Sequence, residues 1–280
     1  MPSTAWTTLW MTMHDHTELT QDRIGHLKER LEREITQKIC PLDVTAWQAP
    51  GEPVSFEEAV VANYRPFPPG TWWGAPWSTW WLHVTGTLPE GHAGDEIDLS
   101  MDLGFVGDWA GNQSEAMVYT SSGRPLKALN PRNHRVALNH GTLTQRFADE
   151  GEPLIGTDGG IELWVEAAGN PDMTLHLGGP TELGDRRTAG DEPLWQFRGA
   201  ELSVRRKEVW DLWLDIDVLD GLMRQLPSDS THRAQLLHGL EQAADEVDRH
   251  GILAGAGQAR EILAGHLGSG ANSSAQQMTA

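Results

Sequence analysis

The sequence predicts a mainly β fold, a β-sandwich or jelly roll, with an N-terminal helix before it and a C-terminal group of about three helices after it. Between residues 77 and 205, short β-like runs recur at a spacing of roughly 8–12 residues and are separated by turn residues, as is typical of sandwiches and jelly rolls. On either side of this region, apolar residues recur every three or four positions, which is the period of an amphipathic helix.

The clearest predicted strand covers residues 96–102, because its apolar and polar side chains alternate. We expect the apolar set to face inward and the polar set to face outward: Ile97, Leu99 and Met101 against Asp98, Ser100 and Asp102. Residues 116–119 and 125–129 flank a Ser-Ser-Gly turn and predict a hairpin. Further strands are predicted at residues 80–86, 161–167, 173–177 and 200–204.

The first predicted helix covers residues 17–39, where one apolar stripe is formed by Ile24, Leu27, Leu31 and Ile35. Pro41 is expected to end it. After residue 206, a second stripe predicts a helix that stops at Pro227. Two more helices follow, one to about residue 250 and one with Gly265 and Gly268 near its end.

These patterns divide the chain into five segments. We expect a disordered leader at 1–16, the N-terminal helix within 17–43, a β-sandwich domain at 44–205, a helical connection at 206–267, and a linker or truncation point at 268–280.

The composition excludes some classes of partner. A formal charge of −19 is unfavourable for binding nucleic acid or an anionic membrane surface, but it leaves neutral ligands such as sugars open. No stretch approaches the roughly 20 consecutive apolar residues that a membrane-spanning helix needs. The single cysteine, Cys40, fits a reducing compartment, so a cytoplasmic location is expected.

Tryptophan is unusually frequent, with 13 residues in the chain, and five of them lie between residues 72 and 81. Large aromatic rings often fill a sandwich core or a domain interface, and this is the favoured interpretation. The other interpretation is sugar binding, because a pyranose ring presents apolar C–H patches that stack on aromatic faces. The candidates for either role are Trp72, Trp73, Trp77 and Trp80.

No catalytic or metal site is predicted from the residues alone. His14-Asp15-His16 contains metal-binding side chains, but it lies near the N-terminus without a supporting third element, so a solvated segment is the favoured interpretation. Asp98 with Asp102, and Glu162 with Glu166, could form the carboxylate pair of a glycosidase. In a chain with 40 acidic residues, such same-face pairs are expected to arise by chance.

Residues 65–81, RPFPPGTWWGAPWSTWW, resemble a tryptophan-rich segment of the cytosolic and vacuolar-type α-mannosidases of glycoside hydrolase family 38. Further similar segments follow in the family's order at residues 114–126, 166–171, 208–219 and 226–230. Altogether the resemblance covers roughly residues 13–280.

This resemblance implies a galactose-binding-like jelly roll that precedes the catalytic domain of a retaining enzyme acting on terminal α-mannosides. The zinc ligands and the nucleophilic aspartate would then lie beyond Ala280, so none is assigned here. The chain alone would hold no cofactor and would be inactive, whereas the full-length enzyme would hold zinc. The implied partners are the catalytic domain of the same polypeptide, α-mannoside substrates and a second copy in a homo-oligomer.

Two alternatives remain open at this point. The chain could be a free-standing carbohydrate-binding module that uses the aromatic cluster of residues 72–81, or an inactive fragment of a truncated gene.

Overall fold

The structure is a computed structural model that describes residues 17–51, 53–107, 113–171 and 190–278, with side chains described as far as residue 266. The chain divides into two compact units, the β unit (residues 38–204) and the helical unit (residues 1–37 and 205–280). Three expectations lie outside the described residues: the disordered leader at 1–16, the His14-Asp15-His16 site within it, and the strand at 173–177.

The described strands lie in the β unit, apart from two residues at the start of the first strand and one residue at the end of the last. In chain order they are β1 (Thr36–Pro41), β2 (Asp43–Gln48), β3 (Arg65–Pro66), β4 (Trp72–Trp73), β5 (Ser78–Thr87), β6 (Ile97–Asp102), β7 (Glu115–Tyr119), β8 (Pro125–Leu129), β9 (Arg135–Ala137), β10 (Gly160–Gly169), β11 (Trp195–Gln196) and β12 (Gly199–Arg205). Two helices interrupt this order in the described residues: α2 (Phe56–Ala59) and α3 (Thr142–Asp149).

The strands form two main sheets, of order β1-β12-β6-β9 and β3-β2-β5-β10-β7-β8, and a small sheet of β4 and β11. The longest pairing joins β5 and β10 in antiparallel register from Ser78 opposite Gly169 to Thr87 opposite Gly160. One apolar core includes residues of both main sheets, among them Leu82 and Val165 from one and Leu99 and Leu202 from the other. Two sheets around one core make a sandwich, which confirms the predicted fold class.

The six-stranded sheet also buries aromatic side chains on its outer face. Trp81 and Trp164 pack there with α2, and the ring of Phe56 contacts both of them edge to face. Ser55 caps α2 through a reciprocal capping box with Glu58, which fixes this short helix over the sheet. The sheet is therefore covered on both faces where α2 lies.

The helical unit contains α1 (Thr17–Glu34), α4 (Lys207–Gln225), α5 (Thr231–His250) and α6 (Ile252–Met278). The predicted stripes form its core, in which Leu31, Leu212 and Leu240 are fully buried. No helix in the described part of the chain is long and apolar enough to span a bilayer.

The N-terminal helix ends earlier than expected, at Glu34 instead of residue 39, and β1 begins at Thr36. Two groups of Arg206 hold this end: its guanidinium donates to the Glu34 carbonyl at 3.2 Å, and its backbone N–H donates to the Ile35 carbonyl at 2.8 Å. A cation at the last carbonyls stabilises a helix terminus. The β unit begins at residue 38, within β1.

The last helix is longer than expected, because it continues past Gly265 and Gly268 to Met278. The segment 268–280, expected to be a linker or truncation point, is thus helical as far as Met278. Glycine lowers helix stability by only about 1 kcal/mol relative to alanine, and the segment contains no proline that would remove a helical hydrogen bond.

Candidate functional site

The tryptophan-rich segment begins at β4, where adjacent side chains point to opposite sides. Trp73 is 1% exposed, and its indole Nε1 donates to the Leu103 carbonyl at 2.9 Å. Trp72 next to it is 58% exposed. Of these two rings, only Trp72 is accessible to a ligand.

The turn between β4 and β5 has an unusual backbone. Trp77 has a φ of 64°, in the left-handed region that large side chains rarely adopt, and its N–H donates to the Gly169 carbonyl at 2.7 Å. Gly74 has a φ of 70°, and a Cβ there would lie 2.6 Å from Cδ1 of Trp195. The Trp77 ring lies at the surface, where it is 41% exposed.

Trp80 and Trp81 occupy opposite faces of β5. Trp80 packs against Phe67 and Trp73 with ring centroids 5.9 and 6.2 Å apart, and its Nε1 donates to Ser78 Oγ at 3.2 Å. Trp81 is 1% exposed within the outer aromatic cluster. The four candidates are thus placed differently: Trp73 in the core, Trp80 at its margin, and Trp72 and Trp77 exposed. Their role in sugar binding or in packing stays a prediction.

Asp98 is expected to face outward on β6, but its side chain is buried. Asp98 is 3% exposed, and His140 Nε2 lies 2.8 Å from its Oδ1. The side chain does lie on the face of β6 opposite to Leu99, but His140 covers it there. Asp102 instead accepts from the backbone N–H groups of Gly104 and Phe105 through Oδ1. The two carboxylates therefore have separate structural partners.

Glu162 and Glu166 lie on the same face of β10, as predicted, but each contacts a different group. The Glu162 carboxylate lies 2.8 Å from His83 Nε2, and the His83 ring stacks on Trp164. Glu166 accepts a hydrogen bond of 2.9 Å from the Tyr119 hydroxyl. Burial, aided by this bond to Glu166, raises the pKa of Tyr119 to about 12.

A second tyrosine in this cluster is also perturbed. The hydroxyl of Tyr64 is buried and has no hydrogen-bond partner within the described residues. Burial raises the pKa of Tyr64 above its ordinary value, because the phenolate would lose its hydration. The outer aromatic cluster is thus a low-polarity environment, unsuited to holding a charged nucleophile.

The part of the chain that the structure describes contains no group of three or more His, Cys, Asp or Glu side chains that could hold a metal ion. A catalytic zinc ion needs at least three protein ligands. The described residues therefore do not fit a catalytic zinc site.

A pocket of about 480 Å³ lies at the edge of the six-stranded sheet, and we call it the β2 pocket. Its lining comprises Ala46, Trp47, Gln48, Asn63, Arg65, Pro66, Phe67, Thr71 and Trp80. Of the four candidate tryptophans, only Trp80 contributes to it. The polar residues of this lining come from the irregular stretch around β2 and β3, and no motif in the sequence signals them.

A second pocket of about 400 Å³ lies beside β10 and is lined in part by Thr120, Glu152 and Glu162. Burial opposes ionisation of Glu152, but hydrogen bonds from Ser122, Thr120 and Arg124 outweigh it, and the pKa of Glu152 is lowered. This carboxylate is ionised and fully engaged, so it is poorly suited to proton transfer at neutral pH.

Two antiparallel sheets around one core define the domain as a jelly roll. The candidate carboxylates of the described residues each contact a neighbouring side chain or backbone group, and no hydrolytic centre is recognised among them. The family described as the jelly roll domain of alpha-mannosidase matches residues 40–203, more than half of the chain, and the chain belongs to this family. This confirms the resemblance inferred from the tryptophan-rich segment.

Two curated relatives extend the match beyond the jelly roll. Human alpha-mannosidase 2C1 is 26% identical over 209 residues, which cover 75% of this chain and 18% of the relative. Mouse alpha-mannosidase 2C1 is 24% identical over 239 residues, covering 85% of this chain and 21% of the relative. The chain thus spans about a fifth of the length of these relatives.

Proposed function

We propose that this chain is a non-catalytic part of an α-mannosidase of glycoside hydrolase family 38, in which the β unit supports the catalytic domain or its oligomer. The match of the mannosidase jelly-roll family to residues 40–203 carries this proposal. The names of the human and mouse relatives support the enzyme class.

The arrangement of the acidic residues supports a non-catalytic role. A retaining glycosidase needs two carboxyl groups about 5–5.5 Å apart across the scissile bond, with one acting as nucleophile and the other as acid and base. Here Asp98 contacts His140, Glu162 contacts His83, and Glu166 accepts from Tyr119. Each carboxylate has a structural partner, and no step of hydrolysis is assigned to them.

Zinc, the nucleophile and the α-mannoside substrate belong, in this proposal, to a catalytic domain elsewhere in the same polypeptide. A cytoplasmic location is proposed with it, because the one cysteine, Cys40, fits a reducing compartment.

The helical unit is proposed to connect the jelly roll to that domain. Val218 and Leu222 lie one turn apart on α4 and are 43% and 42% exposed, and Leu19 on α1 is 68% exposed. Exposed apolar side chains favour association when they form a patch. We expect the isolated chain to self-associate at micromolar concentration, and a monodisperse monomer in light scattering would contradict a docking role for these side chains.

An activity assay tests the main proposal. The purified 280-residue chain is expected to release no mannose from a synthetic aryl α-mannoside above the blank, with or without added zinc. A longer polypeptide that includes the catalytic domain is expected to be active, to lose activity on chelation and to regain it with zinc.

The support role is tested in that longer polypeptide by replacing residues 38–204 with a short glycine-serine linker. A loss of activity or of the oligomer is expected. Full activity of the deletion variant in an unchanged oligomer would contradict the support role, and hydrolysis by the short chain would contradict the non-catalytic role.

A further inference from the structure

The β2 pocket exists because β3 is short. β3 pairs with only two residues of β2, Thr45 and Ala46, so β2 has an open edge from residue 47 onward. The Ala49 N–H donates to Thr79 on β5, whereas the Val44 carbonyl accepts from Phe67 on the other side. Because backbone groups alternate along a strand, the N–H and C=O of Gln48 point away from β5, toward the open edge.

The floor of the β2 pocket is apolar and held in place by the core. Phe67 is 3% exposed and packs on Phe197, with ring centroids 4.8 Å apart. Trp80 is fixed by the rings of Phe67 and Trp73 and by its hydrogen bond to Ser78. A rigid aromatic surface needs no ordering when a ligand binds, which lowers the entropic cost of binding.

The rim of the β2 pocket carries polar groups that the protein does not use. Within the described residues, Gln48, Asn63 and Arg65 have no hydrogen-bond or ion-pair partner for their side chains. By contrast, two arginines elsewhere in the β unit, Arg124 and Arg198, each bind carboxylates. Two amides and a guanidinium offer several donors and two acceptors at one opening.

The charge of the β2 pocket distinguishes it from the rest of the molecule. The chain has 40 acidic residues, yet none of the described residues that line this pocket is acidic. A metal ion or an organic cation would find no carboxylate there. The pocket beside β10 differs, because its described lining includes Glu152 and Glu162 and no aromatic side chain.

From these features we infer that the β2 pocket binds a pyranose sugar. Its volume of about 480 Å³ lies within the range of roughly 300–1,000 Å³ that is usual for small-ligand pockets. The apolar face of a sugar ring would pack on Trp80, which lies on the same face of the sheet as its cross-strand neighbour Gln48. The sugar hydroxyls would bond to Gln48, Asn63 and Arg65. Binding of this kind does not depend on hydrolysis by any part of the polypeptide.

The test is a titration of the 280-residue chain with methyl α-D-mannopyranoside and with an α-linked mannotriose, followed by calorimetry and by saturation-transfer NMR. Saturable binding in the millimolar range or tighter is expected. Mannitol, which has similar hydroxyls but no ring, is expected not to bind. Inorganic phosphate should not compete, whereas competition would identify an anion site around Arg65 and overturn the inference.

Surface variants locate the site without disturbing the core. Arg65→Ala combined with Gln48→Ala is expected to weaken binding by about tenfold or more, because charged and amide hydrogen bonds are lost. Two controls should bind as the wild type does: Trp72→Ala, which removes an exposed ring outside the pocket, and Lys38→Ala, which removes one exposed positive charge from the same unit.

Thermal unfolding of each variant verifies that the fold is kept. Binding that survives the double substitution, that is lost equally in Trp72→Ala, or that is absent from the wild type would overturn the inference. Because hydrolysis is not measured, these outcomes are independent of the assay for α-mannosidase activity.

Discussion

The β unit and the helical unit are stabilised by different kinds of interaction. In the β unit, buried rings such as Trp73, Trp81 and Trp195 fill the core and the outer cluster. In the helical unit, aliphatic side chains fill the core and ion pairs join neighbouring helices, as Arg23 on α1 does with Asp245 and Asp248 on α5. Buried rings contribute several kcal/mol each, whereas exposed ion pairs contribute about 0–1 kcal/mol and are screened by salt. The two units should therefore respond to different perturbations.

The largest effect is expected from the core of the β unit. Trp73→Ala should lower the free energy of unfolding by about 3–5 kcal/mol, because it leaves a cavity and an unpaired Leu103 carbonyl. Urea unfolding followed by circular dichroism should show this loss in the β-unit transition alone. The neighbouring Trp72→Ala is the control and should change stability by no more than about 0.5 kcal/mol. Equal losses would contradict the placement of these two rings.

A smaller loss is expected at the turn beside Trp195. Gly74→Ala should cost on the order of 1–3 kcal/mol, because the new Cβ adds a clash with Trp195 to a strained backbone. Gly70→Ala is the matched control, since Gly70 also has a positive φ of 93° but nothing within 4 Å of the position that a Cβ would take. The clash is measured as the difference between the losses of unfolding free energy in Gly74→Ala and in Gly70→Ala. Equal losses would mean that Trp195 moves away without cost.

Alkaline pH should affect the β unit first, because both tyrosines of the chain lie in it. The pKa of Tyr119 is raised from 10.0 to about 12, and that of Tyr64 is also raised. When the pKa of a tyrosine is higher in the folded chain than in the unfolded chain, its contribution to stability is fully present below the pKa of the unfolded chain. That contribution is lost as the pH rises through the pKa of the folded chain. Tyrosinate absorbance should therefore not appear near pH 10 in the folded chain. A titration midpoint at that pH would contradict the burial of both hydroxyls.

Acid should affect the helical unit through Asp248, the smallest of the expected effects. Hydrogen bonds from Arg30 and Arg23 lower the pKa of Asp248 below its ordinary 3.8. The stabilisation by Asp248 is therefore fully present above its ordinary pKa, and it is lost as the pH falls through the lower pKa of the folded chain. Asp248→Asn should cost about 1 kcal/mol or less at neutral pH, and less at high salt.

The control for this substitution is Asp229→Asn, an exposed aspartate of the helical unit with no ion-pair partner among the described residues. Urea unfolding at two salt concentrations should separate the variants. A cost for Asp248→Asn that is independent of salt would contradict its role as a screened ion pair.

Periodicity predicted the strands at residues 97–102 and 160–169 and the helices of the helical unit well, because each has one buried face. It failed where a distant residue decides the outcome. Arg206 ends α1 at Glu34, and His140 covers Asp98, and neither contact leaves a local signal. The β2 pocket was missed for the same reason, since only the pairing of β2 with β3 brings Gln48 and Arg65 together.

The order of the four-stranded sheet has a consequence for how the β unit folds. β1 and β12 are neighbours, and the Leu42 N–H just after β1 donates to the Ala200 carbonyl at 2.9 Å. The first and last strands of the sandwich therefore pair across nearly the whole length of the unit. Closing so long a loop is entropically costly and slows folding. During synthesis, β1 is made long before β12, so it remains unpaired until β12 has been synthesised. Over that period its backbone groups can pair with strands of other chains.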